Sequence, residues 1–183
     1  MEVYNHSDKG LIHIYTGEGK GKTTAGIGLS LRAAGSGLQV LIARFLKNNQ
    51  SAELQAFERF PNVKLVPNEK SFGFSKVWSK DPEKYRQASA YYSEMFHTAI
   101  SEAVSGYYDV LFMDEIIAAV RLGVVDKEEL VGFLKGKPDN LEVILTGRDA
   151  PSELIELADY VSEIHKIKHP FDKGIMARRG IEY

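Results

Sequence analysis

The chain has no cysteine, which excludes disulfide frameworks, thiolate metal sites and a cysteine nucleophile together. No apolar run approaches the roughly 20 residues that a membrane-spanning helix needs, and Met1 to Gly10 lacks the apolar core of a signal peptide. Charge of either sign is not in excess: 23 Lys and Arg against 25 Asp and Glu leave a formal −2. The signs are interspersed, so no basic stripe recommends a nucleic-acid groove. These absences point to a reducing compartment, the cytoplasm, without membrane or nucleic-acid partners. The sequons Asn5-His6-Ser7 and Asn49-Gln50-Ser51 then carry no glycan. Internal repeats, low-complexity segments and linkers are also missing, and 183 residues with 44% hydrophobic content predict a single domain over 1–183.

What is present begins with Thr16-Gly17-Glu18-Gly19-Lys20-Gly21-Lys22-Thr23-Thr24, between the apolar run Leu11 to Tyr15 and an amphipathic stretch. Strand, glycine-rich loop and helix in that order are the context a phosphate-binding P-loop requires. Glycines let successive N–H groups curl into one concavity, and the following helix adds the positive end of its dipole. Lys22 then lies along the phosphates as a point charge, and the Thr23 hydroxyl ligates the accompanying magnesium. The spelling is altered, because Thr16 stands where the first glycine of GxxxxGK[ST] belongs, glycine has moved to Gly17, and Lys20 adds a cation inside the loop.

Downstream, Thr24 to Ala34 reads as a helix and Gln39 to Leu46 as a strand covered on both faces, followed by Lys47 at its C-terminal end. Glu53 to Phe60 predicts a short helix and Val63 to Pro67 a short strand. Between Glu69 and Trp78 no period is legible; Phe72, Phe74 and Trp78 there either pack on the core or form a platform for a flat ligand. Asp81-Pro82 starts the longest helix, with Tyr85, Ala88, Tyr92, Met95 or Phe96, Ala99 and Ala103 as its core stripe.

Val110 to Met113 is an apolar strand ending in Asp114 and Glu115, the Walker B pattern, which places two carboxylates beside the loop where one holds magnesium directly or through water. Which of the two is nearer the metal stays open. Asp126 and Glu129 form a capping box, Leu141 to Thr146 is a strand, and Arg148 after it is either a phosphate contact or a surface charge. Tyr160 to Lys168 reads as a further strand, in which His165 and His169 do not converge on a metal as they would on a helix. The whole is α/β: a mostly parallel sheet covered by helices on both faces, the P-loop NTPase (RecA-like) arrangement. From these residues alone an ATPase, a small-molecule kinase and a transferase using ATP all remain open.

The chain resembles the ATP:cob(I)alamin adenosyltransferases of the CobA/CobO/BtuR type. The resemblance is carried by the loop Thr16 to Thr24, Arg44-Phe45-Leu46-Lys47, Met113-Asp114-Glu115, Leu145-Thr146-Gly147-Arg148, Leu157-Ala158-Asp159 and the tail Lys168-His169-Pro170-Phe171-Asp172-Lys173-Gly174 through Gly180-Ile181-Glu182-Tyr183. It implies transfer of the adenosyl group of ATP to a reduced corrinoid with triphosphate leaving, and an unusual orientation of ATP that makes sense of the altered loop. By the same resemblance ATP is bound by Gly17, Glu18, Gly19, Lys20, Gly21, Lys22, Thr23 and Thr24, with Lys22, Thr23 and Arg148 in catalysis and Thr23, Asp114 and Glu115 around magnesium. Phe72, Phe74 and Trp78 are the candidates for excluding the lower axial ligand of cobalt. A reductase or flavodoxin-like electron donor and a homodimer are implied partners. The competing reading is a P-loop kinase or ATP phosphohydrolase.

Overall fold

The computed structural model describes residues 9–47, 51–70, 72–73 and 75–182. Phe74, Tyr183, the Asn48-Asn49-Gln50 segment and the first eight residues, named above, lie outside the described residues, as does the sequon Asn5-His6-Ser7. Six strands form one sheet in the order β3-β2-β4-β5-β1-β6: β1 Ile12–Thr16, β2 Val40–Arg44, β3 Val63–Leu65, β4 Val110–Asp114, β5 Glu142–Thr146 and β6 Tyr160–Glu163. Every pairing is parallel. β2 and β4 are buried along their whole length, which explains why both read as unbroken apolar runs rather than alternating ones.

Alternate residues of each strand feed two cores. On one face Val40, Ile42, Val110, Phe112 and Ile144 pack against α1 (Lys22–Gly35) and α2 (Ala52–Phe57) through Ala33, Ala34, Leu54 and Phe57. On the other, Ile14, Leu41, Leu111, Met113 and Leu145 meet α4 (Pro82–Ala103), α5 (Ile116–Arg121), α6 (Lys127–Gly136) and α7 (Ser152–Leu157). Of the predicted stripe of α4, Ala88, Tyr92, Met95, Phe96, Ala99 and Ala103 are buried and Tyr85 is partly buried, and the Asp81 side chain accepts from the amides of Glu83 and Lys84. Burial pushes the Tyr92 phenol up to about 12, so this ring serves packing and not proton exchange.

Two departures from the sequence reading bear on the site. A short helix, α3 (Ser75–Trp78), stands where no element was legible. β6 ends at Glu163 rather than at Lys168, because the chain leaves the sheet there and crosses the glycine-rich loop. Among the described residues His165 pairs with Glu163, at 3.7 Å, and His169 Nδ1 accepts from the Phe171 amide to cap a 3₁₀ turn, Pro170–Lys173. Among the described residues no helix is long and apolar enough to cross a membrane.

Candidate active site

β5 separates β1 from β4 in the sheet, so the loop after β1 and the carboxylates after β4 face each other across the end of β5. The loop is shaped by its neighbour. Gly17 sits at φ 94°, and a Cβ there would lie 2.6 Å from the Ile164 carbonyl oxygen. Only glycine tolerates both the left-handed backbone and that approach. The same carbonyl accepts from the Gly19 amide at 2.7 Å, so the chain after β6 pins the loop from one side.

Lys22 opens α1 and is 8% exposed. Its ammonium donates to the carbonyls of Gly17 and Gly19, each at 2.7 Å, which holds it inside the loop's concavity. Burial and then the nearby Arg148 guanidinium lower its pKa, against the opposing pull of Glu115 and Glu18. A group so placed gains by meeting an anion, since the low-dielectric surroundings strengthen the attraction.

Asp114 is the centre of the polar network. Its Oδ1 accepts from the Thr23 hydroxyl at 2.8 Å and from the Thr146 hydroxyl at 2.7 Å, while Thr146 Oγ1 in turn accepts from the Glu115 amide at 2.9 Å. Its Oδ2 lies 3.2 Å from Arg44 Nε but out of line for a hydrogen bond, so among the described residues both of these buried atoms lack a hydrogen-bond partner. A buried carboxylate oxygen without a donor, beside a threonine hydroxyl and a phosphate-binding loop, is a hard-oxygen donor set that suits magnesium. The Glu115 side chain accepts from Lys47 at 3.1 Å. Of the two Walker B carboxylates it is therefore Asp114 that touches the loop.

The remaining cations are held by exchangeable partners. Arg148 donates to Glu18 at 2.7 Å with both side chains more than half exposed, and Lys20 reaches Glu182 at 3.3 Å and the Ile181 carbonyl at 3.4 Å. An exposed pair such as Arg148–Glu18 is worth about 0–1 kcal/mol. Beside Thr23 a cavity of about 430 Å³ opens, lined by Thr24, Ile27, Arg44, Glu53 and the tail residues Gly180 to Glu182. The Arg178 guanidinium and amide hold the Glu182 carboxyl down to about 2.

Phe72 is half-buried, with ring centroids 5.7 Å from Tyr92, 5.8 Å from Tyr91 and 6.3 Å from Trp78. Trp78 is 1% exposed and presents no face to solvent in this conformation. The segment is tied to the site by Asn68, whose side-chain amide donates to the carbonyls of Arg44 at 2.6 Å and Lys47 at 2.5 Å.

Sequence reasoning passed over Arg44, Glu53 and Glu182 as site residues. A single arginine inside the apolar run Gln39 to Leu46 was the available signal for Arg44, since a buried guanidinium demands an anionic partner. Glu182 carried no such signal, because the lysine it meets is 162 residues away in sequence.

A glycine-rich loop opening a helix, faced by a Walker B aspartate across one intervening strand of a parallel sheet, defines a P-loop nucleotide-binding protein. The fold is shared with ATPase domains 2 and 3 of EssC from Geobacillus thermodenitrificans, at TM-score 0.51 and 16% identity over 95% of this chain and 35% of that one. Residues 8–183 match the family model of the ATP:corrinoid adenosyltransferases BtuR/CobO/CobP. A corrinoid adenosyltransferase of Sinorhizobium sp. is 35% identical over 96% of this chain and 81% of its own, and that of Escherichia coli K12 is 33% identical over 96% and 87%. The chain belongs to the ATP:corrinoid adenosyltransferase family.

Proposed function

We propose that the chain, as one domain, transfers the 5′-deoxyadenosyl group of ATP to the cobalt of a reduced corrinoid, with the triphosphate departing from C5′. The observation that carries the residue assignments is the Lys22–Thr23–Asp114 constellation, built at the C-terminal edge of a parallel sheet. The cobalt supplies the electron pair that forms the new bond to C5′, and the C5′–O bond breaks with its pair going to the triphosphate. Cobalt is itself the nucleophile, so the protein has no proton to remove. The pair His13–Glu142 sits at the opposite end of β1 and β5, and His97–Glu129 joins α4 to α6.

The work of the protein is then to position the chain of phosphates and to hold its growing charge. Lys22 exchanges the Gly17 and Gly19 carbonyls for phosphate oxygens. Lys20 and Arg148 exchange Glu182 and Glu18 for the same purpose. The Thr23 hydroxyl and Asp114 would hold magnesium, with Glu115 behind them; bound there, the ion neutralises charge on the leaving triphosphate. Phe72, Phe74 and Trp78 are assigned to the corrinoid side, supported by the Asn68 clip that ties their segment to the end of β2. For Trp78 this requires α3 to shift from its packed position. A reduced corrinoid needs an electron donor, a reductase or flavodoxin-like protein, and the cysteine-free sequence suits the reducing cytoplasm where such donors work. We assign a homodimer, supported by the apolar side chains of Tyr160 and Val161 on the open edge strand β6.

Protein, magnesium-ATP and chemically reduced cobalamin should give the light-sensitive spectrum of an alkylated corrinoid together with triphosphate. Lys22→Ala should abolish both. ADP or orthophosphate as the nucleotide-derived product would instead establish a kinase or phosphohydrolase, and near-normal turnover in Lys22→Ala would remove the phosphates from this loop.

A further inference from the structure

The side chains of β2 and β4 that face α1 and α2 form two parallel rows, Val40-Ile42-Arg44 and Val110-Phe112-Asp114, and each row ends in a charge. The strands pair in register, so Arg44 and Asp114 are direct neighbours. Arg44 is 5% exposed and Asp114 1%. A guanidinium does not shed its proton in a protein, so a full positive charge always stands against the Walker B carboxylate inside the fold. Neither the loop nor the transfer step uses that cation.

Each nitrogen of Arg44 meets a different group. Nη1 donates to the hydroxyl of Ser51 at the N-cap of α2, Nη2 lies 3.5 Å from Glu53 Oε1 in the first turn of that helix, and Nε lies 3.2 Å from Asp114 Oδ2. The last contact is an ion pair without a hydrogen bond. Among the described residues Nε and Oδ2 are both buried and neither has a hydrogen-bond partner, whereas Oδ1 is taken by the hydroxyls of Thr23 and Thr146. A buried ion pair is worth most when its remaining donors and lone pairs are satisfied, and here they are not. The arrangement offsets the charge of Asp114 and leaves Oδ2 open. An oxygen in that condition has little to offer a lone cation, because the guanidinium repels it. A cation that carries its own anion meets no such opposition.

We infer that Arg44 is a positioning residue that reserves Asp114 for a divalent cation arriving with triphosphate. It offsets the carboxylate charge from the β2 side, so the bare ion binds weakly, while Oδ2 stays open to the ion that phosphate delivers. This rests on the reading that Thr23 and Asp114 hold the metal. The consequence is an order of events: without nucleotide the Thr23 hydroxyl remains on Asp114, and metal and triphosphate enter together.

The test uses Mn²⁺ as the probe, followed by electron paramagnetic resonance, alone and as its complex with inorganic triphosphate. The proteins are wild type, Arg44→Gln, Arg44→Lys, Asp114→Asn and the Arg44→Gln/Asp114→Asn double variant. Wild type should bind the bare ion more weakly than the complex. Arg44→Gln should tighten the bare-ion Kd by about tenfold, since a cation within about 6 Å changes a carboxylate's affinity for positive charge by that order or more. The gain should vanish in the double variant. Arg44→Lys, which keeps the charge, should stay closer to wild type than to Arg44→Gln.

Removing a residue that merely shapes the site does not tighten metal binding, so weaker or unchanged bare-ion binding in Arg44→Gln would overturn the inference. A gain that survives in the double variant, or Arg44→Lys matching Arg44→Gln, would do the same. Wild type that binds the bare ion as tightly as the complex would overturn it without any variant having to fold. Binding of the complex that is indifferent to Asp114→Asn would instead overturn the metal assignment beneath it.

Discussion

Two glycines of α1, two residues apart and so on opposite faces of the helix, are expected to respond oppositely to the same substitution. Gly26 faces β4, and a Cβ there would lie 2.5 Å from both Cε2 and Cζ of Phe112, about 1 Å inside ordinary carbon–carbon contact. Phe112 is fully buried among Val110, Ile144, Leu54 and Phe57, so its ring has nowhere to retreat. Gly28 is exposed and has no heavy atom within 4 Å of its Cβ position. Replacing either glycine by alanine gains about 1 kcal/mol of helix propensity. At Gly28 nothing opposes that gain, so Gly28→Ala should stabilise the protein by about 0.5–1 kcal/mol, or roughly 1–4 °C in Tm for a chain of this length.

At Gly26 the overpacking cost, about 3 kcal/mol for so deep a clash, exceeds the propensity gain and leaves a net loss of about 2 kcal/mol. Gly26→Ala should therefore lower Tm by roughly 4–8 °C. The relief available is a lift of α1 away from β4, which would also draw Thr23 from Asp114, now at 2.8 Å. ATP affinity should accordingly fall in Gly26→Ala and remain unchanged in Gly28→Ala. Calorimetry and nucleotide titration on the two variants decide the matter. A Gly26→Ala protein as stable as Gly28→Ala would refute the account of how α1 seats the loop.

Asn68→Ala should cost about 1–3 kcal/mol in chemical denaturation, because it leaves the carbonyls of Arg44 and Lys47 and the Tyr91 hydroxyl without the partner they now share; a loss under 0.5 kcal/mol would show that water replaces it. Glu142 supplies a pH dependence. Burial pushes its carboxyl up, but the His13 ring and the Leu11 amide outweigh this and hold it below its ordinary 4.5. Its contribution is thus fully present above pH 4.5 and is lost as pH falls through the lower folded value. Glu142→Ala should be less stable than wild type by about 1–3 kcal/mol at pH 7, with the gap closing in acid; a gap independent of pH would contradict the ionised role.

How far these features were legible in the sequence depends on the range of the interaction. α4 announced both its start, through Asp81 and Pro82, and its buried stripe, because capping and the 3.6-residue period are local. The loop and the Walker B strand were equally plain. Their meeting, Thr23 on Asp114, spans 91 residues and was inferred from motif context, not from the residues between. Arg44 was hidden inside a run that otherwise reads as an apolar strand. β6 was drawn too long because a roughly alternating pattern continues past Glu163, whereas the Ile164 carbonyl satisfies the Gly19 amide instead of a neighbouring strand. α3 is four residues long, too short to show a period, and so Trp78 could be given neither a face nor a burial in advance.

Backbone strain shows where the fold departs from what local preference would choose. Among the described residues the non-glycine positions with positive φ are Leu46 at 60°, Glu115 at 59° and Asp149 at 52°. Each follows the C-terminal end of a strand, β2, β4 and β5, and each costs about 1–2 kcal/mol relative to ordinary backbone. Each is also flanked by a polar clamp. Asn68 ties the carbonyls on either side of Leu46, Thr146 accepts the Glu115 amide, and Arg121 pairs with the Asp149 carboxylate. These turns set the direction of Lys47, Glu115 and Arg148, so the strain purchases orientation at the edge where charge must be met. Asn68 and Thr146 are buried, so the turns at Leu46 and Glu115 are held from inside the fold, whereas the Arg121–Asp149 pair is exposed. The weakly held parts of that edge are then the exposed Arg148–Glu18 pair and the partly exposed Lys20–Glu182 pair.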